Sequence, residues 1–163
     1  SYQGALIGII IGGFLFLKVK KQDFLAWADF VIPAVALGYF FGRVGNFLNG
    51  ELYGRVTNSS WGMYFIADPN KLRHPSQLYE AMLEGFLLFA ILWNIRNKKL
   101  KTGSFFAMYI FGYGSLRILS EQFREPDAQI GLLWNYFTMG QLLSMAMVLA
   151  GSVLFLLFSK RGK

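Results

Sequence analysis

The stretch "FVIPAVALGYFFGRVGNFLNGELYGR", residues 30–55, joins an apolar run directly to a polar segment rich in glycine. Its first twelve residues carry no charge, which is typical of a helix in the hydrocarbon core of a bilayer. The next fourteen contain four glycines, two asparagines, two arginines and one glutamate. This change of composition predicts a membrane protein with a polar segment at one membrane face.

The composition of the whole chain supports that class. Of its 163 residues, 55% are hydrophobic and only 15% are charged. The absence of cysteine excludes disulfides, thiolate zinc sites and a cysteine nucleophile, and the single histidine excludes a metal site with several histidines. The net charge of +7 does not indicate nucleic acid as a partner, because the basic residues cluster in short loops between apolar runs.

The apolar runs predict an all-α fold, a polytopic helical bundle with about five transmembrane helices in a single transmembrane domain, residues 1–163. A glycine-rich, non-helical segment, about 43–75, is expected at the outer membrane face. The chain opens without an initiator Met, so we expect further spans before it. The predicted spans are Gln3–Leu17, Phe24–Phe41, Leu78–Ile95, Phe105–Phe123 and Phe137–Phe158.

The basic residues predict the orientation of the bundle. Ten of the sixteen follow the first, third or fifth span and so share one side of the membrane. Positive residues in short loops favour the cytoplasmic side. The sequence therefore predicts a multi-pass protein with a cytoplasmic C-terminus.

Charged residues within spans are candidate functional residues, because they are costly to place there. Arg117 and Glu121 are four residues apart and share a helix face, where they form either a structural pair or a phosphate site near the headgroups. Glu80 and Glu84 are either paired for structural reasons or functional. His74 stands alone, so it is either a structural residue or a general base.

The glycine-rich stretch has two interpretations. Its glycines disfavour a continuous helix and allow backbone N–H groups to approach a ligand, while Arg43 and Arg55 add positive charge. The functional interpretation is an anion site, and the structural one is a re-entrant loop that closes the bundle. The polar side chains beside the arginines are Asn46, Asn49 and Glu51.

Residues 42–54, "GRVGNFLNGELYG", resemble the signature of the bacterial prolipoprotein diacylglyceryl transferase family. That pattern reads Gly-Arg-x-Gly/Ala-Asn-Phe-apolar-Asn-x-Glu-x-x-Gly, and every specified position is met. "HPSQLYEA" at 74–81 and "LRILSEQFREPD" at 116–127 resemble the same family in the same order. The resemblance covers essentially the whole chain.

The resemblance implies transfer of a diacylglyceryl group from phosphatidylglycerol to the lipobox cysteine of a preprolipoprotein in the bacterial inner membrane, with no metal or cofactor. The implied phosphatidylglycerol-binding residues are Arg43, Asn46, Asn49, Gly54 and Arg117. The implied catalytic residues are Arg43, Arg117, Glu51, Glu121, Gln3 and His74.

The chain departs from the family at Gln3, where many relatives carry a histidine proposed as the base. Glutamine is not a general base at neutral pH. Either nearby arginines favour the thiolate of the substrate, with Gln3 as a hydrogen-bonding residue, or His74 accepts the proton. A transporter or channel fragment with an anion-binding broken helix is the alternative from another class.

Overall fold

The structure, a computed structural model, describes residues 2–125 and 137–160, with the backbone alone for residues 2–7. Six α-helices, one π-helical segment and two strands lie in these ranges. They are α1 (Tyr2–Val19), α2 (Phe24–Leu48), β1 (Met63–Phe65), β2 (Asp68–Arg73), α3 (Ser76–Glu80), the π-helical segment (Ala81–Leu87), α4 (Leu88–Ile95), α5 (Ser104–Ser120) and α6 (Met139–Lys160).

The predicted helical membrane bundle is confirmed. The helices α3 and α4 and the π-helical segment between them form one continuous helix, Ser76–Ile95, so helices lie at all five predicted positions. This helix, α2 and α6 are each long and apolar enough to cross a membrane. The helix α5 is shorter, with 17 residues, and the apolar part of α1 described with side chains is Gly8–Val19.

The helix α2 is longer than the sequence predicted. The expected end was Phe41, but α2 continues to Leu48, so the first half of the glycine-rich stretch is helical. Side-chain contacts along α2 offset the weak helix propensity of its glycines. The helix ends in a Schellman motif: Gly50 has a φ of +69°, its N–H donates to Phe47 O, and Glu51 N–H donates to Asn46 O, both at 3.0 Å.

The apolar core lies between α2, α4 and α5. One side chain from α2 also fixes the start of α5, because the carboxylate of Asp29 accepts hydrogen bonds from the N–H groups of Gly103 at 2.7 Å and Phe106 at 2.8 Å. These are backbone donors that the first turn of a helix leaves without intrahelical partners. The buried core residues are Ile32, Ala36, Leu88, Leu92 and Phe105.

The segment between α2 and α3 contains an antiparallel hairpin of β1 and β2 that the sequence did not predict. Gly54 lies against both the end of β2 and the chain after α5. Its N–H donates to His74 O at 2.8 Å, and Gly54 forms an antiparallel bridge with Arg124. The hairpin, the end of α2 and the end of α5 therefore meet at one end of the bundle, called the hairpin end below.

Candidate active site

Two arginines from different helices meet at one carboxylate oxygen near the hairpin end. Glu80 Oε2 lies 2.6 Å from Arg117 Nη1 and 3.0 Å from Arg43 Nε. Arg43 is five residues before the end of α2, and Arg117 is three before the end of α5. Glu80 closes α3 and is 1% exposed. The arginines that the sequence singled out therefore share a partner that it left open between structural and functional interpretations.

A second layer of polar groups surrounds this pair. Arg43 Nε donates to the hydroxyl of Tyr39 at 2.9 Å, and that hydroxyl lies 2.7 Å from Glu84 Oε2. The hydroxyl of Ser120 donates to Glu84 Oε1. Glu84 is completely buried and lies on the π-helical segment. Single-turn π insertions in helices are frequent at functional sites.

Glu121 orients the second arginine from its own helix. Glu121 Oε2 lies 3.0 Å from Arg117 Nη2, and Thr138 donates to Glu121 Oε1 at 3.1 Å. Arg117 thus contacts Glu80 through one terminal nitrogen and Glu121 through the other. The contact joins two residues that the sequence places on one face of a helix.

The cluster places two guanidinium groups against three carboxylates in a largely buried region. The exposed fraction of the side chain is 16% for Arg43 and 11% for Arg117. Paired and hydrogen-bonded charges are the form in which ionised groups are tolerated inside proteins. Each arginine keeps a small accessible surface and further N–H donors, which suits recognition of an anionic group such as a phosphate.

The polar residues of the glycine-rich stretch divide into two groups. Asn46 lies beside the cluster, with Oδ1 3.5 Å from Arg43 Nη1. Asn49 and Glu51 are exposed, and the amide of Asn49 donates to Glu51 Oε1 at 3.1 Å. The side chain of Glu51 makes no ion pair with an arginine among the described residues.

Gly54 is a point of close backbone approach. A Cβ there would collide with the carbonyl oxygen of Phe123 and lie 2.9 Å from that of His74. Only glycine lets the three segments at the hairpin end come this close. Arg55 contributes to the same junction, since its Nε donates to Arg124 O at 2.8 Å.

His74 packs among aromatic rings at the hairpin end. Its ring lies 5.9 Å from that of Tyr79 and 5.2 Å from that of Phe123, and Nδ1 is 3.2 Å from the Tyr79 hydroxyl. Partial burial lowers the pKa of His74, so the neutral ring is favoured near pH 7. Gln3 lies on α1, and its side chain is outside the part of the chain described.

Sequence reasoning missed several residues of the site. Tyr39 and Ser120 look like ordinary members of apolar helices, and only the packing shows that they hydrogen-bond to Glu84. Arg73, buried at the end of β2, was also missed: it pairs with Asp68 at 2.7 Å and donates to Gly54 O at 3.1 Å. Spacing was an available signal for two of these residues: Tyr39 shares a helix face with Arg43, and Ser120 shares one with Arg117.

Fold and site together define a class: a polytopic helical membrane protein with a buried, arginine-containing polar site near one end of its helices. Residues 1–157 match the model of a family described as Prolipoprotein diacylglyceryl transferase, and the chain belongs to this family. The resemblance found in the sequence is thereby confirmed. The transporter or channel alternative is not favoured.

Curated relatives carry the name phosphatidylglycerol--prolipoprotein diacylglyceryl transferase. The chain is 55% identical to the protein of that name from Chlorobaculum tepidum, over 93% of this chain and 53% of the relative. It is 47% identical to the one from Desulfotalea psychrophila, over 94% and 59%, and 48% identical to the one from Geobacter sulfurreducens, over 99% and 62%. The matches thus span 53% to 62% of the length of these relatives.

Proposed function

We propose that this chain acts in the reaction for which its relatives are named, the transfer of a diacylglyceryl group from phosphatidylglycerol to a prolipoprotein. The acceptor is the lipobox cysteine thiol. The sulfur forms a thioether with the terminal carbon of the diacylglycerol group. The bond between that carbon and the phosphate oxygen breaks, and glycerol-1-phosphate leaves. The observation that carries this proposal is the pair of arginines within 3.0 Å of one oxygen of Glu80.

The arginines suit the leaving group. As the carbon–oxygen bond breaks, negative charge grows on the phosphate, and guanidinium groups already held in place stabilise that charge without reorganisation. Glu80 and Glu121 hold Arg117 from two directions, and Glu80 and Tyr39 hold Arg43. The binding energy of the phosphate is then not spent on ordering two long side chains.

The proposed phosphatidylglycerol site also includes Asn46, Asn49 and Gly54. The proposed catalytic residues also include Glu51. Asn46 supplies an amide next to Arg43. Gly54 keeps the junction at the hairpin end tight, while Asn49 and Glu51 form an exposed pair at the end of α2. We assign these two to the rim of the site, where the headgroup or the lipobox peptide enters.

The thiol proton has two candidate routes. A free cysteine thiol titrates near 8.5, and two arginines nearby favour its thiolate. In this route Gln3 orients a substrate by hydrogen bonding, and the proton passes to solvent or to the leaving phosphate. In the other route His74 accepts the proton; its position among Tyr79 and Phe123 favours a structural role instead.

The proposal includes the membrane and the orientation in which the chain acts. Both substrates are confined to one bilayer, the bacterial inner membrane, so proximity contributes to the rate. The hairpin end lies at the outer face, and the C-terminus is cytoplasmic. No nucleic acid, metal or cofactor takes part.

Mass spectrometry of a lipobox peptide tests the activity. The peptide is incubated with phosphatidylglycerol and the chain in nanodiscs, with Arg43→Ala as the test variant. The matched control is Arg96→Ala, because Arg96 is exposed, stacks on Trp93 and lies at the opposite end of the bundle. We expect a diacylglyceryl adduct on cysteine that Arg43→Ala loses and Arg96→Ala keeps. An adduct that survives in Arg43→Ala, or none with the unchanged chain, contradicts the proposal.

Two further variants separate the proton routes. If His74 is the base, His74→Ala abolishes transfer at neutral pH and higher pH restores it. If electrostatic activation suffices, His74→Ala transfers at the rate of the parent for the same amount of folded protein. Gln3→Ala then raises the KM for one substrate, and an unchanged KM for both removes the role assigned to Gln3.

A further inference from the structure

Glu84 is a fully buried ionisable residue at the centre of the cluster. Its exposed fraction is 0%, and its partners come from two other helices: Tyr39 on α2, and Arg117 and Ser120 on α5. Placing a carboxylate this deep is costly unless it is paired and hydrogen-bonded. A residue in this position cannot meet the lipid headgroup directly, so its effect on the site must pass through its partners.

The distances around Tyr39 define the direction of its hydrogen bonds. The hydroxyl has one proton and two carboxylate neighbours, Glu84 Oε2 at 2.7 Å and Glu80 Oε2 at 3.2 Å. The shorter distance indicates that the Tyr39 hydroxyl donates its hydrogen bond to Glu84. The hydroxyl oxygen is then an acceptor for Arg43 Nε at 2.9 Å. This hydrogen bond holds the guanidinium of Arg43 over the Tyr39 ring, with Nη1 3.5 Å from Asn46 Oδ1.

Because Glu84 accepts the Tyr39 hydroxyl, Glu80 can accept from the arginines. Because Tyr39 donates to Glu84, Glu80 Oε2 keeps its lone pairs for Arg117 Nη1 and the positive charge of Arg43. Glu84 Oε2 lies 3.5 Å from the same Arg117 nitrogen, and Ser120 occupies Glu84 Oε1. Tyr39 and Ser120 thus donate to Glu84, while Arg117 Nη1 is shared by the two carboxylates and lies nearer to Glu80.

We propose that Glu84 is a positioning residue, which fixes the orientation of Arg43 through Tyr39 and holds Arg117 beside it. This inference rests on the proposed function. Glu84 touches neither substrate: it orients the two groups that would stabilise the leaving phosphate. Removal of its acceptor oxygens would turn the Tyr39 hydroxyl toward Glu80 and release Arg43 from its present orientation.

Four variants of the chain in nanodiscs test this inference. Tyr39→Phe removes one oxygen, Glu84→Leu removes the acceptors, Glu84→Gln keeps an acceptor for Tyr39, and a double variant combines Tyr39→Phe with Glu84→Leu. Asp23→Asn is the matched control, because it changes a carboxylate to an amide at the far end of α2, where Asn also caps a helix. Rates are measured per folded molecule, with phosphatidylglycerol and the peptide varied separately.

We expect Tyr39→Phe and Glu84→Leu each to lower kcat/KM for phosphatidylglycerol about tenfold, as when a hydrogen bond to a charged group is lost. The KM for the peptide stays constant in both variants. Glu84→Gln, which keeps an acceptor, retains a kcat/KM within about threefold of that of the parent. The kcat/KM of the double variant is no lower than that of the less active single variant. If Glu84→Leu does not fold, Tyr39→Phe and Glu84→Gln still give the comparison.

Two results would overturn the inference. Additive losses in the double variant, or a normal kcat and KM in the folded fraction of Tyr39→Phe, would mean that the network is only structural and would overturn the inference. Absence of transfer by the unchanged chain would instead count against the proposed function. The two failures are therefore distinguishable.

Discussion

At the scale of single residues, the site depends on how many partners each charged group can hold. Arg117 contacts Glu80 through one terminal nitrogen and Glu121 through the other, at 2.6 Å and 3.0 Å. A planar guanidinium can serve two carboxylates in fixed directions, whereas an ammonium is a point charge on a flexible stem. The identity of this cation therefore matters as much as its charge.

Arg117→Lys tests that point. The substitution keeps the positive charge but cannot reproduce both contacts, so we expect kcat/KM for phosphatidylglycerol to fall about 10- to 100-fold, the range for loss of a charge-assisted hydrogen bond. The measurement is the transfer rate in nanodiscs at equal amounts of folded protein. Arg96→Lys is the control and should leave the rate unchanged. Equal rates for Arg117→Lys and the parent would show that charge alone suffices.

At the scale of elements, the cluster requires α2 and the π-helical segment to approach closely. Gly85 lies on that segment, and a Cβ there would be 2.6 Å from Phe40 Cα and 2.8 Å from Phe40 N. Phe40 follows Tyr39 on α2, so the absence of a side chain at Gly85 lets the hydroxyl of Tyr39 reach Glu84.

Gly85→Ala should therefore separate the two elements. Because the colliding atoms belong to the backbone, we expect a loss of stability of about 1–3 kcal/mol, typical of overpacking, together with lower activity. Thermal unfolding in detergent measures the first effect and peptide lipidation the second. Gly38→Ala on α2 is the control, since no atom lies within 4 Å of its added Cβ. Equal unfolding temperatures for the two variants would contradict the close contact.

The same elements show what the sequence could and could not predict. Hydropathy placed all five helices, because a bilayer imposes long apolar runs. Glycine content suggested a break after Phe41, whereas α2 continues to Leu48 and is terminated by the positive φ of Gly50, two residues later. Local propensity was overridden there by contacts between distant parts of the chain.

The candidate site was predictable in part for the same reason. Arg43 and Arg117 are recognisable as charges within apolar segments, and the family signature marks them. Their meeting at Glu80 joins residues 37 positions apart in each direction, on three helices. No pattern within one segment contains that information, and the hydrogen bonds of Tyr39 and Ser120 to Glu84 were missed on the same ground.

At the scale of the whole molecule, the distribution of charge predicts how the bundle sits in the bilayer. Basic clusters follow α1 and α4, and Lys160 ends α6, in each case at the end of the helix away from the hairpin. Positive residues in short loops favour the cytoplasmic side. The hairpin end, with the arginine cluster nearby, would then face outward, toward the leaflet from which the proposed site takes its lipid.

Single cysteines test this orientation cleanly, because the sequence contains none. We expect Asn58→Cys, an exposed position between α2 and β1, to react with a membrane-impermeant maleimide in intact spheroplasts. Lys99→Cys, exposed in the loop between α4 and α5, should react only after the membrane is permeabilised. Labelling of Lys99→Cys in intact spheroplasts, with Asn58→Cys protected, would invert the bundle and place the arginine cluster at the cytoplasmic face.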